Sequence, residues 1–318
     1  MANWNPGAAR RSQNQEGTYI FPEKKDFPPM MPRLKFLLSL GLFLYSLLPG
    51  NSWGENTADP IGQKFSGEII KYEVGFWIFF PVGGGVADFR NLGHGKYMVT
   101  HEGQAQGFVG WLTSYRREVY RSTMGTINSG QRLFPLRFEE HSIIGEWFRK
   151  KTTVYDYAAR KVFMEVEKEG EISREEIEIP LGALYDDPVT AFYNFRSGVY
   201  GKVEPGREFL VQTLPDKGKK EEIRLIVASQ EETAIMQAKE IDKAGKDLFV
   251  RILLEREMWG KKRGEMEIWF SKDLVPISGV VKDIRFFGDI KGKLTHRGIQ
   301  DSPGPPPAPA GKQPAERK

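Results

Sequence analysis

The sequence predicts a mainly β protein: a large curved antiparallel sheet, half-barrel or barrel-like, with one or two short helices. Three observations predict it. Apolar and polar residues alternate in segment after segment, which puts every second side chain of an extended chain on one face. Short turn motifs separate the segments, and short connections favour antiparallel neighbours. The segments are also too many for a small open sheet, and a sheet of many strands curls.

The alternation is clearest at Leu248, Val250, Ile252 and Leu254, at Met266, Ile268 and Phe270, and at Ile223, Leu225 and Val227. Ile172 to Ile179 alternates in part. Further strands are expected at Gly67 to Phe79, Gly85 to Arg90, Lys96 to His101, Arg117 to Ile127, Arg132 to Phe138, Trp147 to Tyr155 and Lys161 to Glu167. The same reading gives Arg207 to Thr213, Thr233 to Ile241 and Pro276 to Phe287. Turns fall at Asn91–Gly95, Asn128–Gly130, Lys168–Gly170, Pro215–Gly218 and Lys243–Gly245. These are residue types that adopt tight turns with little strain. Gly83-Gly84-Gly85 lacks the lysine and the following helix of a phosphate loop, and reads as a bend or bulge between strands.

One segment departs from the period of two. Asp187 fits an N-cap, Pro188 the first helical position, and Gly198 a helix stop. Val189, Phe192 and Phe195 or Arg196 share one helical face, so a short helix packed on the sheet is expected. An acid pair at Asp186 and Asp187 is the minor alternative to capping.

Four regions organise the chain. Arg33 and Lys35 precede an uncharged apolar run, Phe36 to Leu48, which Pro49 and Gly50 end. Small residues then flank Trp53. This order predicts a secretory signal over 31–54, cleaved after Gly54. The apolar run is shorter than the roughly 20 residues of a spanning helix, so an inner-membrane anchor through 36–48 is the alternative. Residues 1–30 carry four prolines and no apolar period, and read as an over-extended start, with translation from Met30 or Met31. Residues 55–298 form a single β-rich domain, and 299–318 a Pro-rich disordered tail.

Composition narrows the chemistry. There is no cysteine, which excludes disulfides, thiolate metal sites and a lipid-modified cysteine. The net charge of +4 is spread among mixed acids and bases, without a basic stripe for nucleic acid. His94, His101, His141 and His296 lack ligand-like spacing, so no metal and no cofactor is expected. No G-x-S-x-G motif occurs, and no catalytic residue is assigned. Glu139-Glu140 and Glu231-Glu232 read as solvated faces.

Three landmarks together resemble a bacterial exported family, the domain of unknown function numbered 3108. They are Gly67-Glu-Ile-Ile-Lys-Tyr72 followed by Gly83-Gly-Gly-Val-Ala87, then Asp187-Pro-Val-Thr-Ala-Phe192-Tyr193-Asn-Phe-Arg196, and Ile268-Trp269-Phe-Ser271-Lys-Asp273-Leu-Val-Pro276. The resemblance runs from about Ser66 to Leu294 and implies an exported β-rich domain. It is more distantly similar to the half-barrels of LolA-type periplasmic lipoprotein carriers. Thr190 or Ala191 stands where the family often has serine. The resemblance supplies no catalytic residue.

The positive functional feature is aromatic. Phe76, Trp77, Phe79 and Phe80 fall within five residues, and Phe108, Trp111 and Tyr115 have a spacing that permits an amphipathic helix. Consecutive bulky groups on a strand point to both faces, and only one face can fill a core. Phe76, Trp77, Phe79, Phe80 and Trp111 are therefore the expected ligand-binding residues. Trp269 is expected on the concave side or at the barrel end. The implied function is a periplasmic, non-enzymatic binding protein for an apolar or amphipathic envelope molecule, such as a lipid or acyl chain. The alternatives are an envelope interaction or assembly factor with a protein partner or peripheral membrane contact, and, less favoured, a polymer hydrolase.

Overall fold

A computed structural model describes residues 60–76, 79–216, 219–254, 264–284 and 288–300. The expected leader, its cleavage point and most of the Pro-rich tail lie outside these residues. Among the described residues, fourteen strands form one antiparallel sheet. They are β1 (Glu68–Phe76), β2 (Phe79–Gly93), β3 (Lys96–Ala105), β4 (Arg117–Ile127), β5 (Arg132–Ile144), β6 (Trp147–Asp156) and β7 (Lys161–Lys168). They continue as β8 (Glu171–Glu178), β9 (Glu208–Asp216), β10 (Lys219–Val227), β11 (Leu248–Leu254), β12 (Gly264–Phe270), β13 (Pro276–Ile284) and β14 (Gly288–Ile299). The spatial order is β8-β7-β6-β5-β4-β3-β2-β1-β14-β13-β12-β11-β10-β9. Among these described strands only the β1–β14 pair joins strands far apart in sequence, and β8 and β9 are the two edges.

The helices are α1 (Ile61–Phe65), α2 (Gly107–Leu112), α3 (Pro188–Arg196) and α4 (Gln230–Ala238). They number four among the described residues, where the sequence pointed to one or two. The decisive one is α3. Its Val189 and Tyr193 pack in one apolar cluster with Phe89, Phe138 and Val162. Its Ala191 and Phe195 pack in a second cluster with Phe209, Leu225 and Phe270. Val162 is on β7 and Phe209 on β9, near opposite ends of the strand order. A flat sheet of this size would be about 60 Å wide, whereas a nine-residue helix is only about 14 Å long. One short helix can touch both ends only because the sheet wraps around it.

The gap between the edges is bridged by the segment from β8 to α3. Ile179 N–H donates to the Arg160 carbonyl at 2.9 Å beyond β7, and Asp186 N–H donates to the Gln212 carbonyl on β9 at 3.0 Å. One end of the wrapped sheet is filled by α1, whose Phe65 ring lies 5.0 Å from that of Tyr193 and 5.9 Å from Phe89. Here Gly62 is required, because a Cβ would fall 2.1 Å from the Tyr97 ring.

Several local readings are corrected. Thr233 to Ile241 is mostly helix rather than strand: α4 is capped by the Ser229 hydroxyl, which accepts from Glu232 N–H, with Glu231 and Glu232 in its first turn. That Ser-x-x-Glu spacing is a helix start, and it outweighs the short apolar run after it. The first strand stops at Phe76, which pairs with Phe79 of β2, instead of running on to Phe79. Gly83, Gly84 and Gly85 lie inside β2, and a Cβ at Gly83 would approach the Gln104 carbonyl to 2.6 Å. They permit close strand approach beside a register shift between Val74 and Phe76 of β1. Strand β14 has no counterpart in the sequence reading, because glycines occupy several of its positions.

Trp269 is neither on the concave side nor at the barrel end. Ile268 and Phe270 face α3, so Trp269 falls on the outer face, against Phe249 at 4.9 Å and under Met236 of α4. Its indole N–H donates to Glu240 at 3.2 Å. Trp269→Ala is expected to lower unfolding stability by about 3–5 kcal/mol in a urea titration, without altering ligand affinity in the folded protein.

Candidate functional site: an apolar cavity above helix α3

The floor of the site is α3, and the chain fixes it at both ends. Asp187 accepts from the N–H groups of Val189 and Thr190 at 2.8 and 2.9 Å, and from the hydroxyls of Thr190 and Ser122 at 2.8 and 2.7 Å. At the other end Gly198 adopts φ +74, and Gly198 and Val199 N–H groups donate to the carbonyls of Phe195 and Asn194. That is a Schellman stop, which glycine adopts without a Cβ clash. Between the ends, Asn194 donates to the Leu133 carbonyl and accepts from Leu133 N–H, both at 3.0 Å, fastening the helix to β5.

Arg196 completes the clamp. Its guanidinium forms two bonds to Glu68, at 2.6 and 2.9 Å, and one to the Leu274 carbonyl at 2.8 Å. Both side chains are 1 % exposed. Arg297 reaches the same carboxylate at 3.0 Å. The paired fork geometry satisfies charges that would otherwise be costly to bury.

Above this floor the concave side is hollow. The cavity has a volume of about 900 Å³ and reaches from β1 and β3–β7 on one side to β9–β14 on the other. Its two walls differ. On one side the strand register sets Ala87, His101, Tyr120, Glu140, Lys151 and Val166 at one level, with Arg149 on β6 one step further out. On the other side Leu225, Ile252, Met266, Val281 and Ile290 share a level. At this level one wall is mainly polar and the other aliphatic, although Thr213, Glu222, Ser278 and Lys291 also line the second side, and Phe138 and Met164 the first.

The hollow exists because inward positions carry little side chain. Ile268, Gly279, Gly292 and Val74 are successive partners, and all four line the cavity. A Cβ at Gly292 would meet only the Glu73 carbonyl, at 4.0 Å, within the range of ordinary contact. Glycine in a strand interior weakens the strand, and it marks places where something else approaches the backbone.

The family model described as "Protein of unknown function (DUF3108)" matches residues 71–295. The chain belongs to the DUF3108 family. The match takes in β2 to β13, with most of β1 and most of β14, and every residue named in the floor and both walls, apart from Glu68 and Arg297. This DUF3108 chain is also similar to the crystal structure of a beta-barrel-like protein of domain of unknown function DUF1849 from Brucella abortus. Identity is 10 %, the TM-score is 0.42, and the alignment covers 74 % of this chain and 98 % of that one. Among curated proteins none matches.

Of the residues expected to bind ligand in this DUF3108 chain, Trp77 lies outside the described residues, as do the side chains of Phe76, Phe79 and Phe80. The backbones of Phe76 and Phe79 close the β1–β2 pair beyond Val74. Trp111 is not part of the lining. It is 65 % exposed on α2, which packs against β2 and β3 outside the cavity. The expected amphipathic helix through Tyr115 stops at Leu112, and Tyr115 lies beyond it with a positive φ of 51. The aliphatic wall was present in the alternation of β10–β12, but sequence shows neither which face is concave nor whether it is filled.

The titratable groups of the DUF3108 site are set by burial. His101 is pushed down to about 4 by desolvation, with Arg196 adding repulsion, so its imidazole is neutral at pH 7. Its Nε2 is buried with no hydrogen-bond partner among the described residues, and its ring meets Phe192 edge-on at 6.3 Å. His94 sits in a turn with φ 52, and no group of three or more His, Asp or Glu suited to a metal occurs among the described residues. Glu139 pairs with Arg121 and Arg137, and Glu140 with Lys151 at 3.5 Å.

Asp186 is the acid that capping does not use. Its carboxylate accepts from Arg132 at 2.8 Å and Tyr200 at 2.7 Å. Burial raises it from 3.8 to about 6 against the opposing pull of Arg132. A raised carboxyl contributes stability that is complete below its unfolded value and lost as pH rises through the folded one. The shift corresponds to roughly 3 kcal/mol. Wild-type unfolding free energy is expected to fall by about that much, from this group, between pH 3.8 and 6. Asp186→Asn removes the component, which urea titrations across that interval detect.

Proposed function

We propose that this protein is an exported, non-enzymatic binding protein that holds an apolar or amphipathic envelope molecule, a lipid or acyl chain, in the periplasm. The observation that carries the reading is the cavity of about 900 Å³, floored by a clamped helix and thinned at Gly279 and Gly292. Small-molecule sites run to roughly 300–1,000 Å³, mostly apolar with a few placed polar groups, and this cavity falls at the upper end of that range. The aliphatic wall offers a surface from which ligand burial excludes water. The export part rests on the signal expected over 31–54.

The test is native mass spectrometry of the chain purified from an envelope fraction, with organic extraction of whatever co-purifies. A bound lipid at near one per chain is expected, together with displacement of a fluorescent fatty acid. A protein that carries no lipid and binds no fluorescent fatty acid refutes the carrier. Sequencing the mature N-terminus tests export separately, with Glu55 expected first.

The second reading, an envelope interaction factor, is favoured by one observation. Trp111, Leu112 and Tyr115 are all more than half exposed beside the end of β3. Loss of a cross-linked envelope partner on changing Trp111 and Leu112 to serine, with lipid binding intact, would support it.

A further inference from the structure

We infer that the ligand is an anionic amphiphile, held with its charged end against Arg149 and Lys151 on β6 and its apolar chain against β10–β13. This rests on the binding reading above and names the ligand class. Three observations converge. Arg149 and Lys151 occupy alternate positions of one strand, on the face that lines the cavity. Lys151 is within 3.5 Å of Glu140, while among the described residues no carboxylate pairs with Arg149. Glu118, at the same level as Arg149, is already engaged by Arg116 at 2.7 Å and by the Ser142 hydroxyl at 2.6 Å. The outer rim of the polar wall therefore keeps a cationic surplus.

Deeper on the same wall, His101 Nε2 has no partner among the described residues, at the level of Lys151. A buried polar atom left unpaired costs free energy, and a ligand oxygen can satisfy it. The facing level of Leu225, Ile252, Met266 and Ile290 offers no hydrogen bond from its side chains, while Thr213, Glu222, Ser278 and Lys291 border the cavity elsewhere on that side. A neutral hydrocarbon would leave the charged side desolvated and unmatched. An amphiphile carrying a carboxylate or phosphate satisfies both sides, and a guanidinium recognises either group with paired hydrogen bonds.

The test measures displacement of a neutral fluorescent apolar probe from the full chain by palmitate, hexadecanol and lysophosphatidate. At least one anionic ligand is expected to bind ten times or more tighter than hexadecanol. Arg149→Gln with Lys151→Gln is expected to cut that preference at least tenfold while hexadecanol affinity stays level. Where the double variant melts early, Arg149→Gln alone carries the comparison. Palmitate against lysophosphatidate decides between a carboxylate and a phosphate. Equal binding of anionic and neutral ligands, or a preference that survives the substitutions, overturns the anionic assignment and leaves the carrier reading standing. Binding of none of the three, with no probe uptake, overturns the carrier reading itself.

Discussion

Gly292→Phe is expected to weaken acyl-ligand binding at least tenfold, about 1.4 kcal/mol, with little change in unfolding stability. The position lies in mid-strand on β14, paired with Val74 and Gly279, and all three line the cavity. A new Cβ has only the Glu73 carbonyl near it, at 4.0 Å, so the backbone need not shift. The benzyl group then projects into the hollow and occupies ligand volume. Replacing glycine within a strand also removes an entropic weakness, so stability holds or rises. Ligand displacement and thermal melting on the same sample read the two effects separately. Unchanged affinity in a folded variant would mean that the cavity is not where the ligand sits. A steep stability loss would mean that the space above Gly292 is already filled.

Glu68→Gln is expected to lower unfolding stability by about 3–5 kcal/mol, the usual result of leaving a buried charge without its counter-ion. Arg196 sits at the C-terminal end of α3, 1 % exposed in its side chain, with Phe65 at 4.6 Å from the guanidinium carbon. Removing the charge of Glu68 strands that guanidinium among rings and releases Arg297. Burial by itself would raise the Glu68 carboxyl, but hydrogen bonds from Arg196 and Arg297 hold it below 4.5. A depressed carboxyl contributes stability above its unfolded value, and the contribution is lost as pH falls through the folded one. The wild-type protein should therefore weaken from this group below pH 4.5, and Glu68→Gln should lack that limb. Urea titrations at neutral and acid pH check both statements. Because α3 is the cavity floor, the variant should also bind ligand less tightly at temperatures well below its melting point.

Much of the fold was legible because one face of most strands is buried, and a period of two survives wherever that holds. Leu248 to Leu254 and Met266 to Phe270 are clear examples. The start of α3 was legible for a local reason: Asp187 and Pro188 act on their immediate neighbours. Strand β14 was not, because Gly292 and Gly298 interrupt its apolar alternation. The feature that hid that strand is part of what opens the cavity. The outer placement of Trp269 is not legible in the sequence, because periodicity separates two faces without saying which is concave. That distinction comes from α3, more than seventy residues earlier in the chain. The pairing of Arg196 with Glu68 spans 128 residues, a distance over which sequence order carries no information about contact.

The union of β1 with β14 has a kinetic consequence. The seam in the middle of the sheet joins the first and last strands, so Glu68 waits for Ile299 before its neighbour arrives. Chain closure over so long an interval is slow, and until then each half-sheet presents a bare edge to solvent. Such a sheet stays in two halves until its last strand is available, and it is complete only when the segments around Glu68 and Ile299 meet.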